Sequence, residues 1–113
     1  MNIENSKAQM RKGVLEYCIL SIINTQGEVY PSDILVSLKK AELIVVEGTI
    51  YPLLNRLKNG GFLAYRWEES ESGPPRKYYR LTAGGLDFLL EMQKTWNNLS
   101  KAVNQITQKN KSK

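Results

Sequence analysis

Hydrophobic positions recur at spacings of three and four through the first quarter of the chain: Met10, Val14, Leu15, Cys18, Ile19, Ile22 and Ile23. The spacing predicts an amphipathic helix from about Ser6 to Asn24 that buries one broad face. Gln26-Gly27 closes it. A second helix opens at Pro31, a residue suited to a first turn, where Ser32 or Asp33 can satisfy free N–H groups. Ile34, Leu35 and Leu38 form its apolar stripe, and Lys39 and Lys40 lie near its C-terminal end, where cations are favoured. After a short connection, Glu42 to Val46, a third helix runs from Glu47 to about Asn59 with Ile50, Leu53, Leu54 and Leu57 inward. Tyr51, Asn55 and Lys58 share another face, with Pro52, Arg56 and Asn59 beside them. Gly60-Gly61 stops it. Proline in a helix interior costs roughly 3 kcal/mol, so the regular part is expected to start near Thr49, with Pro52 inside the first turn.

The period then shortens. Phe62 to Glu68 reads as a strand with Leu63, Tyr65 and Trp67 on one side of the pleat. Glu69 to Pro75 is polar and rich in Gly and Pro, the composition of a loop. Arg76 to Leu81 returns as a second strand with a basic character, and Tyr78 and Tyr79 are read as packing residues. Thr82 caps a long final helix. Its Leu89, Met92, Trp96, Leu99, Val103 and Ile106 alternate at three and four residues, the seam of a coiled coil. At ~1.5 Å per residue that seam is ~26 Å long, a stripe that a stable monomer should not show to water. Leu86 and Phe88 lie off it and are free to pack back on the domain. The expected architecture is α+β, mainly α: a winged helix-turn-helix over residues 1–81, a C-terminal dimerisation helix over 82–108, and a basic tail over 109–113. There is no internal repeat and no linker.

Composition narrows the chemistry. At 113 residues, 42% of them hydrophobic, one domain with a modest core is expected. The chain holds no histidine and one cysteine, so it lacks the usual general base and cannot build a Cys/His zinc site. Glu68, Glu69 and Glu71 cluster beside an exposed turn, and Gly84-Gly85 follows an antiparallel hairpin rather than a parallel βαβ unit. The reading is therefore not an enzyme, with no cofactor and no metal. No apolar run approaches a membrane span and the N-terminus has no hydrophobic signal region, so a cytoplasmic location is expected. Formal charge is +5, and it is uneven: Ser72 to Lys113 carries eight bases against two acids. Such a footprint suits a polyanion.

Helix, helix, helix, hairpin is the order in which three short helices bury one core while the third offers a polar face to a major groove. Double-stranded DNA is the expected partner. Thr49, Tyr51, Pro52, Asn55, Arg56 and Lys58 are the candidate contacts on the third helix, with Arg76 and Lys77 on the wing. Asn suits adenine and Arg guanine, while Lys and Tyr more often hold phosphates. A protein–protein adaptor built on the same fold, without specific DNA binding, is the alternative.

The run Gly48-Thr-Ile-Tyr-Pro-Leu-Leu-Asn-Arg-Leu-Lys58, then Gly61-Phe-Leu63 and Gly73-Pro-Pro-Arg-Lys-Tyr-Tyr-Arg-Leu-Thr-Ala-Gly84, resembles the PadR family of bacterial transcriptional regulators, as does Met10-Arg-Lys-Gly-Val-Leu-Glu-Tyr-Cys-Ile-Leu20. The likeness covers about residues 7 to 107. It implies a homodimer joined through the final helix, binding to inverted-repeat operators, usually as a repressor. It also implies release by a small hydrophobic or phenolic effector, and the short version of the family with a single C-terminal helix. In drug-binding relatives a tryptophan of that helix lines a pore between subunits, and Trp96 holds the matching place. Leu15, Ile19 and Met92 are the expected walls beside it. The chain departs from the family's frequent Tyr-Gly-Tyr at Val29-Tyr-Pro31.

Overall fold

The computed structural model describes residues 2–43 and 45–109. Four helices and one hairpin follow in the order α1 (Ile3–Gln26), α2 (Pro31–Lys40), α3 (Glu47–Asn59), β1 (Leu63–Ser70), β2 (Gly73–Leu81) and α4 (Ala83–Lys109). The order and the mainly helical α+β class match the sequence reading. Past Lys109 the expected basic tail lies outside the described residues.

α1 is longer than its apolar stripe at both ends. The Asn2 side chain accepts from the N–H groups of Glu4 and Asn5 at 3.0 and 3.2 Å, which starts the helix three residues before Ser6. Gly27, at φ 89°, donates its N–H to the Ile23 carbonyl at 2.8 Å and ends it. Leu15, Ile19, Leu20 and Ile23 are its buried face, whereas Met10 stands in solvent. Pro31 opens α2 as expected, and of the two candidates there Asp33 satisfies a free N–H: its Oδ2 accepts from the backbone of the N-cap residue Tyr30 at 2.9 Å.

α3 corrects the expectation of a late start. It is helical from Glu47, so Pro52 sits beyond the first turn. Position 52 has no N–H to give the Gly48 carbonyl, but both residues are exposed, so water can take the place of the missing donor. Burial of Ile50, Leu54 and Leu57 on either side of the proline keeps the segment helical through it. Gly61 at φ 86° turns the chain, and the Phe62 N–H reaches back to the Leu57 carbonyl at 2.9 Å.

The hairpin also exceeds its forecast. The loop expected over Glu69–Pro75 shrinks to Glu71 and Ser72, and Pro74 and Pro75 fall within β2. Proline is tolerated where a strand's N–H faces solvent, and the prolines lie beyond the place where, among the described residues, β2 has a second neighbour. There Val29 and Tyr79 exchange backbone hydrogen bonds at 3.0 and 2.8 Å. Leu63 pairs with Leu81 and Tyr65 with Tyr79, and the register slips between Glu68 and Ser70.

Thr82 does cap α4: its hydroxyl accepts the Gly85 N–H at 2.9 Å and donates to the Gly61 carbonyl at 2.6 Å. Gly85 permits the contact, because a Cβ there would lie 2.0 Å from the Phe62 carbonyl oxygen. Phe88 stacks on Phe62 with centroids 4.2 Å apart, and Leu89 enters the same core as α1, α2 and α3. Beyond Leu89 the helix runs out of the core, and the molecule measures 61 × 32 × 23 Å.

Candidate nucleic-acid interface

Burial of Ile50, Leu54 and Leu57 fixes how α3 is turned. At ~3.6 residues per turn the line opposite them is Gly48, Pro52, Asn55 and Asn59. Tyr51 and Lys58 flank that line on the side of the hairpin, and Thr49 and Arg56 on the side of α1. The eight candidate contacts therefore form two groups rather than one.

On the hairpin side, the N-terminal end of α2, the face of α3 and β2 surround a recess of about 490 Å³ that Tyr30, Tyr51, Asn55, Arg76 and Lys77 line together. Tyr51 donates its hydroxyl to Glu47 Oε1 at 3.1 Å. Burial, then the Glu47 hydrogen bond, push its pKa up, so the phenol keeps its proton. The Lys77 ammonium sits 4.6 Å from the Tyr65 ring centroid and 5.6 Å from that of Trp67, and Lys58 approaches Tyr65 from α3 at 5.7 Å. Rings hold these cations in place without neutralising them.

Arg76 is fixed by a longer arrangement that the sequence reading missed. Its guanidinium lies 4.4 Å from the Tyr30 ring, Tyr30 stacks on Tyr78 with centroids 4.6 Å apart, and Arg66 covers Tyr78 at 4.8 Å. Arg66 is anchored in turn by Glu28 at 3.0 Å and by Glu68. The Glu28 hydrogen bond, then the Glu68 one, raise its pKa further, so it stays charged. The same bond to Arg66 lowers the pKa of Glu28. Four planar groups from two strands and the α2 cap thus fix the wing to α2. The sequence signal was the mixing of basic and aromatic residues in both strands, Tyr65-Arg66-Trp67 and Arg76-Lys77-Tyr78-Tyr79-Arg80; the structure adds that Arg66 stands opposite Tyr78 in register.

On the α1 side, Thr49 and Pro52 border a separate cleft of about 520 Å³ with Leu15, Val46, Arg11 and Lys12. Arg56 is drawn the same way: its Nη2 donates to Glu16 Oε1 on α1 at 2.7 Å. Among the described residues Lys58, Arg76 and Lys77 have no carboxylate partner, whereas Arg56 and Arg66 do. The interface therefore holds three uncompensated cations around Asn55 and Tyr51, an arrangement that can grip phosphates beside a base-reading amide.

The C-terminal residues divide as well. Leu89 is a core residue, 6% exposed, which removes it from a surface seam. Met92 is half-buried, and Trp96, Leu99, Val103 and Ile106 are exposed. Met92 and Trp96 border a crevice of about 60 Å³ with Gly13, Val14, Tyr17 and Leu99. Leu15 and Ile19 are not its walls. Ile19 is fully buried and Leu15 lies on the α3 side of α1, because the helix turns Val14 and Tyr17 towards α4 instead.

Residues 19–91 match the transcriptional regulator PadR-like family. The chain is 56% identical to a PadR-like transcription factor from Bacteroides fragilis, covering 90% of this chain and 98% of that one with a TM-score of 0.76. It is 44% identical to a PadR-like transcriptional regulator from Bacillus cereus, over 88% of this chain and 97% of that one, with a TM-score of 0.77. Bacillus subtilis PadR, solved in complex with operator DNA, is 29% identical over 71% of this chain and 46% of its own length, with a TM-score of 0.65. No curated protein sequence matches the chain.

Proposed function

The chain belongs to the PadR-like family of transcriptional regulators, and from that premise we propose that it is a dimeric repressor that reads an inverted-repeat operator through α3 and its wing. The observation that carries the reading is the convergence of Asn55 and Tyr51 with Arg76 and Lys77 around one recess. In this reading α3 enters a major groove with the Asn55 amide at base edges, while Lys58, Arg76 and Lys77 take phosphates. Thr49 and Pro52 meet the groove wall on the α1 side. The homodimer forms along Trp96, Leu99, Val103 and Ile106, with Met92 at its inner end. A small hydrophobic or phenolic effector enters beside Trp96 and releases the DNA. Among the described residues no helix is long and apolar enough to cross a membrane, and the proposed site of action is the cytoplasm.

The test is fluorescence anisotropy with duplex DNA from upstream of the protein's own gene, beside a scrambled duplex, across a salt series. Three unpaired cations per subunit give a dimer six phosphate contacts, and log K then falls with log salt at a slope of about −5. Preference for the upstream duplex with a slope of that order supports the reading. Equal, weak binding to both duplexes refutes it and leaves the adaptor.

A further inference from the structure

We propose that Glu16 is a positioning residue for the recognition helix: it holds Arg56 off the groove-facing line in the free protein and surrenders it to DNA on binding. The inference rests on the DNA-binding reading above. Of the two bases in α3, Lys58 leans on an aromatic ring and stays available, while Arg56 is bound to a carboxylate forty residues earlier in the chain, at 2.7 Å. The two partners differ in freedom. The Glu16 side chain is 18% exposed and the Arg56 side chain 68%, so the acid is the fixed post and the guanidinium the arm that swings. From its place beside the groove-facing line Arg56 has the length to reach either Glu16 or a phosphate. An ion pair this exposed is weak, and the planar guanidinium pairs at least as well with a phosphate or a guanine edge. Lys12, one turn earlier on α1, lies at the i−4 position from which it can take over the Glu16 charge after the exchange.

The same helix connects this pair to the other end of the molecule. Gly13, Val14 and Tyr17, on another flank of α1, line the crevice at Trp96.

Fluorescence anisotropy with the upstream duplex decides the matter, using E16Q, R56Q and the double variant, with thermal melts to show that all three fold. E16Q is expected to tighten binding about threefold or more, and R56Q to weaken it and to flatten the salt slope by about 0.9 per subunit, one phosphate's worth. In the R56Q background E16Q is expected to change neither. Weaker binding by E16Q overturns the proposal, since Glu16 would then present Arg56 rather than withhold it. Equal tightening with and without Arg56 overturns it too, because removal of any nearby negative charge would do the same. If wild type prefers the upstream duplex and E16Q is indifferent, this inference fails alone; if wild type shows no preference, the DNA reading fails and takes it along.

Discussion

Replacing Leu99 with aspartate is the sharpest test of the proposed dimer, because the structure says what the change does and does not touch. Leu99 is 53% exposed, and on the same helix Trp96, Val103 and Ile106 are 41%, 45% and 68% exposed. Full burial of such side chains is worth ~1.5–3 kcal/mol each, so roughly half remains to be gained by covering each one. Leu99→Asp removes ~1 kcal/mol of that gain from each subunit. It also forces a carboxylate from each subunit into an apolar seam, and an unpaired buried charge costs several kcal/mol more. A total above ~4 kcal/mol weakens the dimer about a thousandfold. Leu99 lies ten residues past Leu89, where α4 leaves the core, and borders only the shallow crevice beside α1, so the core of the monomer keeps its packing. Sedimentation equilibrium at micromolar concentration is expected to show a dimer for wild type and a monomer for L99D, with nearly unchanged far-ultraviolet circular dichroism. A variant that sediments like wild type refutes the seam.

Gly85→Ala is expected to cost ~3 kcal/mol or more, because its Cβ would meet the Phe62 carbonyl oxygen at 2.0 Å, whereas Gly84→Ala, with nothing nearer than 3.7 Å, leaves stability close to wild type. Calorimetry is expected to show a midpoint fall of ~10 °C or more for the first only. Tyr30→Ala breaks the stack that fixes Arg76 and is expected to weaken DNA binding several-fold, whereas Tyr30→Phe keeps the ring; equal loss in both variants would show that the hydroxyl matters instead. The pKa of Glu28 is lowered in the folded protein by the hydrogen bond from Arg66. Its contribution is therefore fully present above the ordinary carboxylate pKa and lost as pH falls through the lowered folded value. Acid unfolding monitored by circular dichroism should show a smaller stability change across that range in R66Q than in wild type.

What could be read in advance follows from which interactions are local. The stripes of α1, α2 and α3 and the Thr82 cap depend on residues within one or two turns, and they were legible to within a few positions. Pro52 misled because its local cost was visible while the burial of Ile50 and Leu54 that overrides it was tertiary. Pro74 and Pro75 misled for the same reason: strand pairing at Glu68–Arg76 and Ser70–Gly73 carries the hairpin past its loop-like composition. Leu89 fits the heptad as well as Leu99 does, and only tertiary packing, its own burial in the core and Phe88 stacked on Phe62, shows that this turn of α4 already has a partner. The Arg66–Tyr78–Tyr30–Arg76 stack joins residues up to 48 positions apart, and no spacing rule reaches so far. Arg56 sits on the polar side of α3 as its spacing predicts, yet its hydrogen bond goes to α1.

The crevice at Trp96 bears on the proposed effector. At about 60 Å³ it holds little more than two water molecules, whereas drug-sized ligands occupy roughly 300–1,000 Å³. One subunit therefore does not enclose a ligand, although Trp96 also borders a second, open recess with Met10, Arg11 and Val14. Both recesses adjoin the exposed seam residues of α4, so under the proposed dimer the expectation is that a second copy supplies the missing walls. Binding and dimerisation then become linked: a ligand that needs both chains stabilises the pair by its own affinity. Release of DNA cannot in that case come from dissociation of the subunits. On this reading it comes from a change in the placement of the two recognition helices within the intact dimer, and α1, which borders recesses with Trp96 on one flank and holds Arg56 on another, is the element next to both.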